Sequence, residues 1–91
     1  MLNIEWTRVA RQDLGEIVGF IANDNPLAAR KMKVLIMEAV IPAARHPRIF
    51  RRGRVDGTHE IPLHPHYLLV YQVLETHIRV LRVLHTRRQY P

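Results

Sequence analysis

Apolar and polar positions change rhythm several times along this chain, and each change marks an element. Leu2, Ile4 and Trp6 alternate with Asn3 and Glu5, the period of a half-buried strand. Thr7 then stands where a helix N-cap is needed. From Arg8 the spacing becomes helical, with Ala10, Leu14, Ile17, Val18 and Ile21 on one stripe. Gly15 inside that stripe is expected where a neighbour packs closely. Asn25 and Pro26 read as the cap and first residue of a second helix, so the two helices form an antiparallel hairpin. The second helix buries Ala28, Met32, Leu35, Ile36 and Ala39. It carries Val34, Met37 and Ile41 on a different side, as a central or partner-covered helix would. Pro42 kinks or ends it near Ala44.

The second half reads as sheet. A basic loop, His46–Arg54, leads to a strand at about Thr58–His64, and Pro65 with His66 makes a turn. Tyr67–Leu74 is apolar at nearly every position, which predicts a central strand buried on both faces. Glu75–His77 turns the chain into a last strand, Ile78–Leu84. The expected fold class is α+β, in the order β-α-α-β-β-β. A mainly antiparallel twisted sheet packs against the N-terminal helical hairpin, with residues 1–91 as one domain.

Charge sharpens this picture. Residues 1–44 hold five basic and five acidic side chains, whereas residues 45–91 hold nine arginines against three acids. The whole excess of the net charge of +6 therefore lies in the sheet half. Such asymmetry favours nucleic acid, an acidic protein or another anionic surface as partner. The chain has no cysteine, no leader-like start and no apolar run near the ~20 residues that span a membrane, so a cytoplasmic location is expected.

Candidate chemistry narrows by residue type. Serine is absent, no glycine-rich phosphate loop occurs, and His64 and His66 lie in a turn without metal-ligand spacing. No cofactor or metal is expected. Histidine, arginine and tyrosine remain. Cutting RNA needs a base, an acid and cations on the scissile phosphate. His64, His66 or His85 could titrate near neutrality, Arg82, Arg87 or Arg88 could neutralise phosphate, and Tyr90 could stack on a base. Arg82 shares strand parity with Ile78, Val80 and Leu84, an otherwise apolar row.

Taken in order, Ile4-Glu-Trp-Thr7, Asp13-Leu14, Ile17, Ile21-Ala-Asn-Asp-Asn-Pro26 and Ala28-Ala29 resemble the first half of the RelE/ParE superfamily. His46-Pro47, Gly53-Arg-Val-Asp-Gly-Thr58, His64-Pro65, Tyr67-Leu-Leu-Val-Tyr71 and Leu81-Arg-Val-Leu-His85 followed by Arg88 resemble its second half. These are toxins of bacterial type II toxin–antitoxin modules, and the resemblance spans nearly the whole chain. It implies a growth inhibitor silenced by a cognate antitoxin, acidic and folding on binding, that alone would link the pair to operator DNA. Within the superfamily, RelE-like members cleave mRNA in the ribosomal A site, and ParE-like members poison DNA gyrase. Here Leu68 stands where the RelE pattern has arginine, the strand Thr58–His64 has no lysine, and His59 stands where relatives often carry arginine. The Val83-Leu-His85 ending with Arg88 resembles the ParE-like and StbE-like branch.

The resemblance thus implies a gyrase-directed toxin with target-binding residues Arg54, Arg82, His85, Arg87 and Arg88. Antitoxin-binding residues would be Val34, Met37, Ile41, Arg79 and Arg82. The alternative is a RelE-like mRNA interferase using His64, Arg82, His85, Arg87 and Tyr90. A non-toxic nucleic-acid-binding module is the third reading.

Overall fold

In a computed structural model of the chain, described for residues 1–63, 66–88 and 90–91, the elements follow the expected order. Strand β1 (Asn3–Trp6) leads into helix α1 (Arg8–Ala22), then helix α2 (Pro26–Ala39) and a short α3 (Ile41–Arg45). Strands β2 (Thr58–Leu63), β3 (Tyr67–Val73) and β4 (His77–His85) complete the fold. Both long helices start as their caps dictate. The Thr7 side chain accepts the Ala10 N–H, and Asn25 accepts the Ala28 N–H with Pro26 at the first turn. The break before α3 comes at Val40, not near Ala44, because Pro42 supplies no N–H to an uninterrupted α2 and instead sits in the first turn of α3.

The sheet order is β1-β4-β3-β2. The pairs β2–β3 and β3–β4 are antiparallel, and β1 joins β4 in parallel at the edge. One face packs on the helices through Ile61, Leu63, Leu69, Tyr71, Ile78, Val80 and Val83, which meet Ala10, Leu14, Ile36, Val40, Ala43 and Ala44. The other face carries a smaller cluster of Leu68, Val70, Leu84 and Tyr90, with Leu81 alongside. The central strand β3 is therefore buried on both sides, as its continuous apolar run requires.

Four local expectations change. A register shift between Val70 and Tyr71 pairs Val70 with Arg82 but Tyr71 with Val80, leaving Leu81 as an extra residue. This bulge splits the apparent row, so that Ile78 and Val80 continue into Val83, and Leu84 belongs to the opposite cluster. Leu35 is exposed rather than buried, beside Val34 and Met37. Ile41, expected on an open side, is half-buried because α3 turns it back towards the core. Gly15 faces open space with no close neighbour.

The basic loop is not free chain. Arg52 bridges His59, the Gly53 N–H donates to Thr58 O, and the Glu60 N–H donates to Arg51 O. Residues 51–53 thus run antiparallel along the outer edge of β2. Beneath them the Tyr71 hydroxyl donates to Pro47 O at 2.6 Å, and burial pushes its pKa up to about 12. Phe50 meets the Tyr71 ring edge-on, and His59 stacks on it at 5.4 Å with Nδ1 2.9 Å from Phe50 O. The loop closes the end of the core that the helices do not reach.

Candidate functional site

Strand β4 outruns β1, so its edge beyond Val80 needs other partners. Thr7 supplies one, its hydroxyl donating to Leu81 O at 3.3 Å. Asp13 supplies the next. Its Oδ2 accepts the Val83 N–H at 2.9 Å and Arg82 Nε at 2.8 Å, and Oδ1 accepts Arg82 Nη2 at 3.2 Å. The Asp13 side chain is only 9% exposed and that of Arg82 30%. A bidentate ion pair with one partner buried is geometrically fixed and strong. The hydrogen bond to Asp13, opposed by burial and aided by the nearby charges of Asp13 and Glu16, raises the already high Arg82 pKa. Arg82 therefore ties α1 to the open edge of β4. The sequence holds a signal for this that is visible in retrospect. Asp13 lies three residues after Ala10 and four before Ile17, which places an acid on the buried stripe of α1.

Tyr90 is also committed. It is 7% exposed against Leu68, Val70 and Leu84, and the Arg54 guanidinium carbon lies 4.9 Å from its ring centroid. Arg54 Nη1 donates to Tyr90 O at 3.5 Å. Gly53 makes room for this contact, since a Cβ there would overlap Thr58 Oγ1 and come within 3.4 Å of the Tyr90 hydroxyl. Tyr90 thus lies on the sheet face away from the helices, with Arg54 over its ring.

His85 remains exposed at the end of β4, paired across the sheet with Tyr67. Its ring lies 5.8 Å from His66 and 5.8 Å from Tyr67. Its Nδ1 accepts the Arg87 N–H at 3.2 Å, so the neutral ring carries its proton on Nε2. Arg87 and Arg88 are exposed beside it. Arg88, His85, Tyr67 and Phe20 line a groove of about 300 Å³ against α1. His64 lies outside the described residues. Arg79 pairs with Glu5 at 3.0 Å across the β1–β4 ladder, and His77 Nε2 lies 2.8 Å from the other Glu5 oxygen. The Arg79 hydrogen bond is the largest influence holding the Glu5 carboxyl below its ordinary range. Among the described residues no group of His, Cys, Asp and Glu could hold a metal ion.

Two grooves flank α2. Val34, Leu35 and Ala39 face Pro62 and Leu63 across one, rimmed by Arg30, Lys31 and Glu38. Met37 faces Ile4, Trp6 and Val18 across the other, rimmed by Arg11 and Lys33. Val34 and Met37 thus stand on open apolar ground, as expected.

The sequence model of the family described as "ParE toxin of type II toxin-antitoxin system, parDE" matches residues 4–90. The chain belongs to that family. This ParE-family toxin is 34% identical to the "Putative toxin Y4kP" of Sinorhizobium fredii, over 97% of this chain and 92% of that protein. It is 30% identical to "Toxin RelE2" of Caulobacter vibrioides, over 97% and 99%. A solved structure described as "Chromosomal ParDE TA system from P. aeruginosa" superposes with a TM-score of 0.83 at 25% identity, covering 96% of this chain and 98% of the other. A copper-bound mutant toxin from Helicobacter pylori shares the fold alone, with a TM-score of 0.56 at 20% identity over 93% and 94%. The protein is a type II toxin–antitoxin toxin of the RelE/ParE superfamily. Among the described residues, no helix is long and apolar enough to cross a membrane.

Proposed function

We propose that this toxin acts in the ParE-like manner, in the cytoplasm, by binding DNA gyrase and trapping it on cut DNA, with a cognate antitoxin as its silencer. The observation that carries the reading is the fate of Arg82. A ribonuclease built on this sheet would need that guanidinium on the scissile phosphate, and Asp13 holds it instead. Tyr90, the candidate for stacking on a base, is buried under Arg54. His85, Arg87 and Arg88 stay exposed as a basic contact surface, the form that a binding poison needs, while Arg54 is held over Tyr90.

The antitoxin belongs on α2. Val34, Leu35 and Met37 are each about half exposed, and basic side chains rim both grooves. An acidic segment that folds on binding can place apolar side chains in these grooves and carboxylates on their rims. Arg79 and Arg82 are engaged by Glu5 and Asp13 and line neither groove.

Purified toxin freed from its antitoxin should abolish gyrase supercoiling of plasmid DNA and accumulate cleavage complexes. Unchanged supercoiling with no linear product would sink the reading. The similarity to Toxin RelE2 favours the second reading, an mRNA interferase. Mapping transcript ends in the same induced culture separates the two, because only the interferase leaves codon-positioned cuts.

A further inference from the structure

Of the nine arginines in the sheet half, several are held. Arg51 pairs with Glu60, Arg79 with Glu5, Arg82 with Asp13, and Arg54 lies on Tyr90. Arg45, Arg48 and Arg52 differ. All three are exposed, and among the described residues none forms an ion pair. They fall within the eight positions 45–52, at the end of α3 and in the loop that runs along the edge of β2. Arg48 and Arg52 line a groove of about 420 Å³ with Thr58 and Asp56, between Gly53 and Gly57.

We propose that this segment is a clamp for the phosphate backbone of duplex DNA, through which the toxin grips the DNA of its target complex directly. The inference rests on the gyrase reading only for where the toxin meets a duplex.

Three features support a phosphate ligand. Solvated guanidinium groups without a carboxylate partner retain their capacity for bidentate bonds to phosphate oxygens. The loop that bears them is rigid on its inner side, fixed by the Gly53–Thr58 and Glu60–Arg51 backbone bonds, the Arg51–Glu60 pair and the packing of Phe50 on Tyr71. Binding there does not have to order a floppy chain. Gly57, whose Cβ direction is open, leaves room for a sugar–phosphate strand at one side of the groove.

The lining also discriminates among anionic partners. A protein partner would seek an apolar centre with aromatic anchors, and this groove is mainly polar. Single-stranded nucleic acid would seek exposed rings for its bases, and Phe50, His59 and Tyr71 are spent on one another inside the loop. A duplex, with its phosphates outward and bases inward, asks only for cations.

The test is anisotropy of a labelled mixed-sequence DNA duplex titrated with antitoxin-free toxin across a salt series. Removing two phosphate contacts with Arg48→Ala/Arg52→Ala should lower affinity about tenfold near 0.1 M salt and flatten the log–log salt slope by about two. Arg48→Lys/Arg52→Lys should keep the slope. Arg30→Ala/Lys33→Ala, which removes the same charge from α2, should bind as the parent does. Equal loss in the α2 variant would mean that net charge alone attracts DNA, and would overturn the proposal. So would an unchanged slope in the arginine variant, or tighter binding to duplex RNA. If the parent does not bind DNA yet the arginine variant loses its effect on gyrase, the groove meets protein, and this inference falls while the gyrase reading stands. If the parent grips DNA through the groove and leaves gyrase untouched, the reading falls and the clamp stands.

Discussion

A single carboxylate, Asp13, satisfies a backbone N–H and a guanidinium at once, and its loss strands both. Asp13→Ala should therefore cost about 3 kcal/mol of stability, read from urea unfolding. Arg82→Ala should destabilise as well, which means that any loss of toxicity in that variant needs a folding control before it speaks to mechanism. Gly53→Ala should cost about 2 kcal/mol, because Thr58 is buried, donates its hydroxyl to Val55 O and cannot give way to the new methyl group. Glu5 makes a prediction about pH. Its folded pKa is lowered from an ordinary 4.5, so its contribution is present above that value and fades as pH falls through the lowered one. The difference in urea midpoint between the parent and Glu5→Gln should accordingly be largest near neutrality and vanish in acid.

At the scale of elements, the helices were legible because their signals are local. Thr7, Asn25 and Pro26 announce the two helix starts, and the stripe through Ala10 and Leu14 shows which side of α1 is buried. The buried run Leu68–Tyr71 was legible for the same reason. The bulge at Leu81 was not, since no glycine or proline marks it and one added residue exchanges the two faces of everything after it. For that reason Arg82 looked like a cation standing out of an apolar row, when its partner lies 69 residues earlier. The burial of Tyr90 was hidden likewise, because Arg54 is 36 positions away. Arg82 and Tyr90 are thus held by partners distant in sequence, whereas His85, Arg87 and Arg88 are exposed. On α2 the prediction concerns binding alone. Met37→Glu should weaken antitoxin binding at least tenfold in calorimetry and leave thermal stability nearly unchanged, because the side chain is already about half exposed.

Across the whole molecule, the two halves differ in charge and in apolar exposure. The helical hairpin carries balanced charge and the apolar grooves, and the sheet half carries the excess of arginine. Partner and target can therefore be met on separate surfaces, so that variants on α2 and variants at Arg48, Arg52, Arg87 or Arg88 should fall into two independent groups. Their effects on antitoxin binding and on growth arrest should add when combined.

The sheet order has a consequence for synthesis. Strand β4 stands between β1 and β3, yet it is made last, so no chain shorter than about His77 holds the strand that joins the two ends. A chain cut short before about His77 should therefore be unable to close the sheet, since neither β1 nor β3 has its shared neighbour.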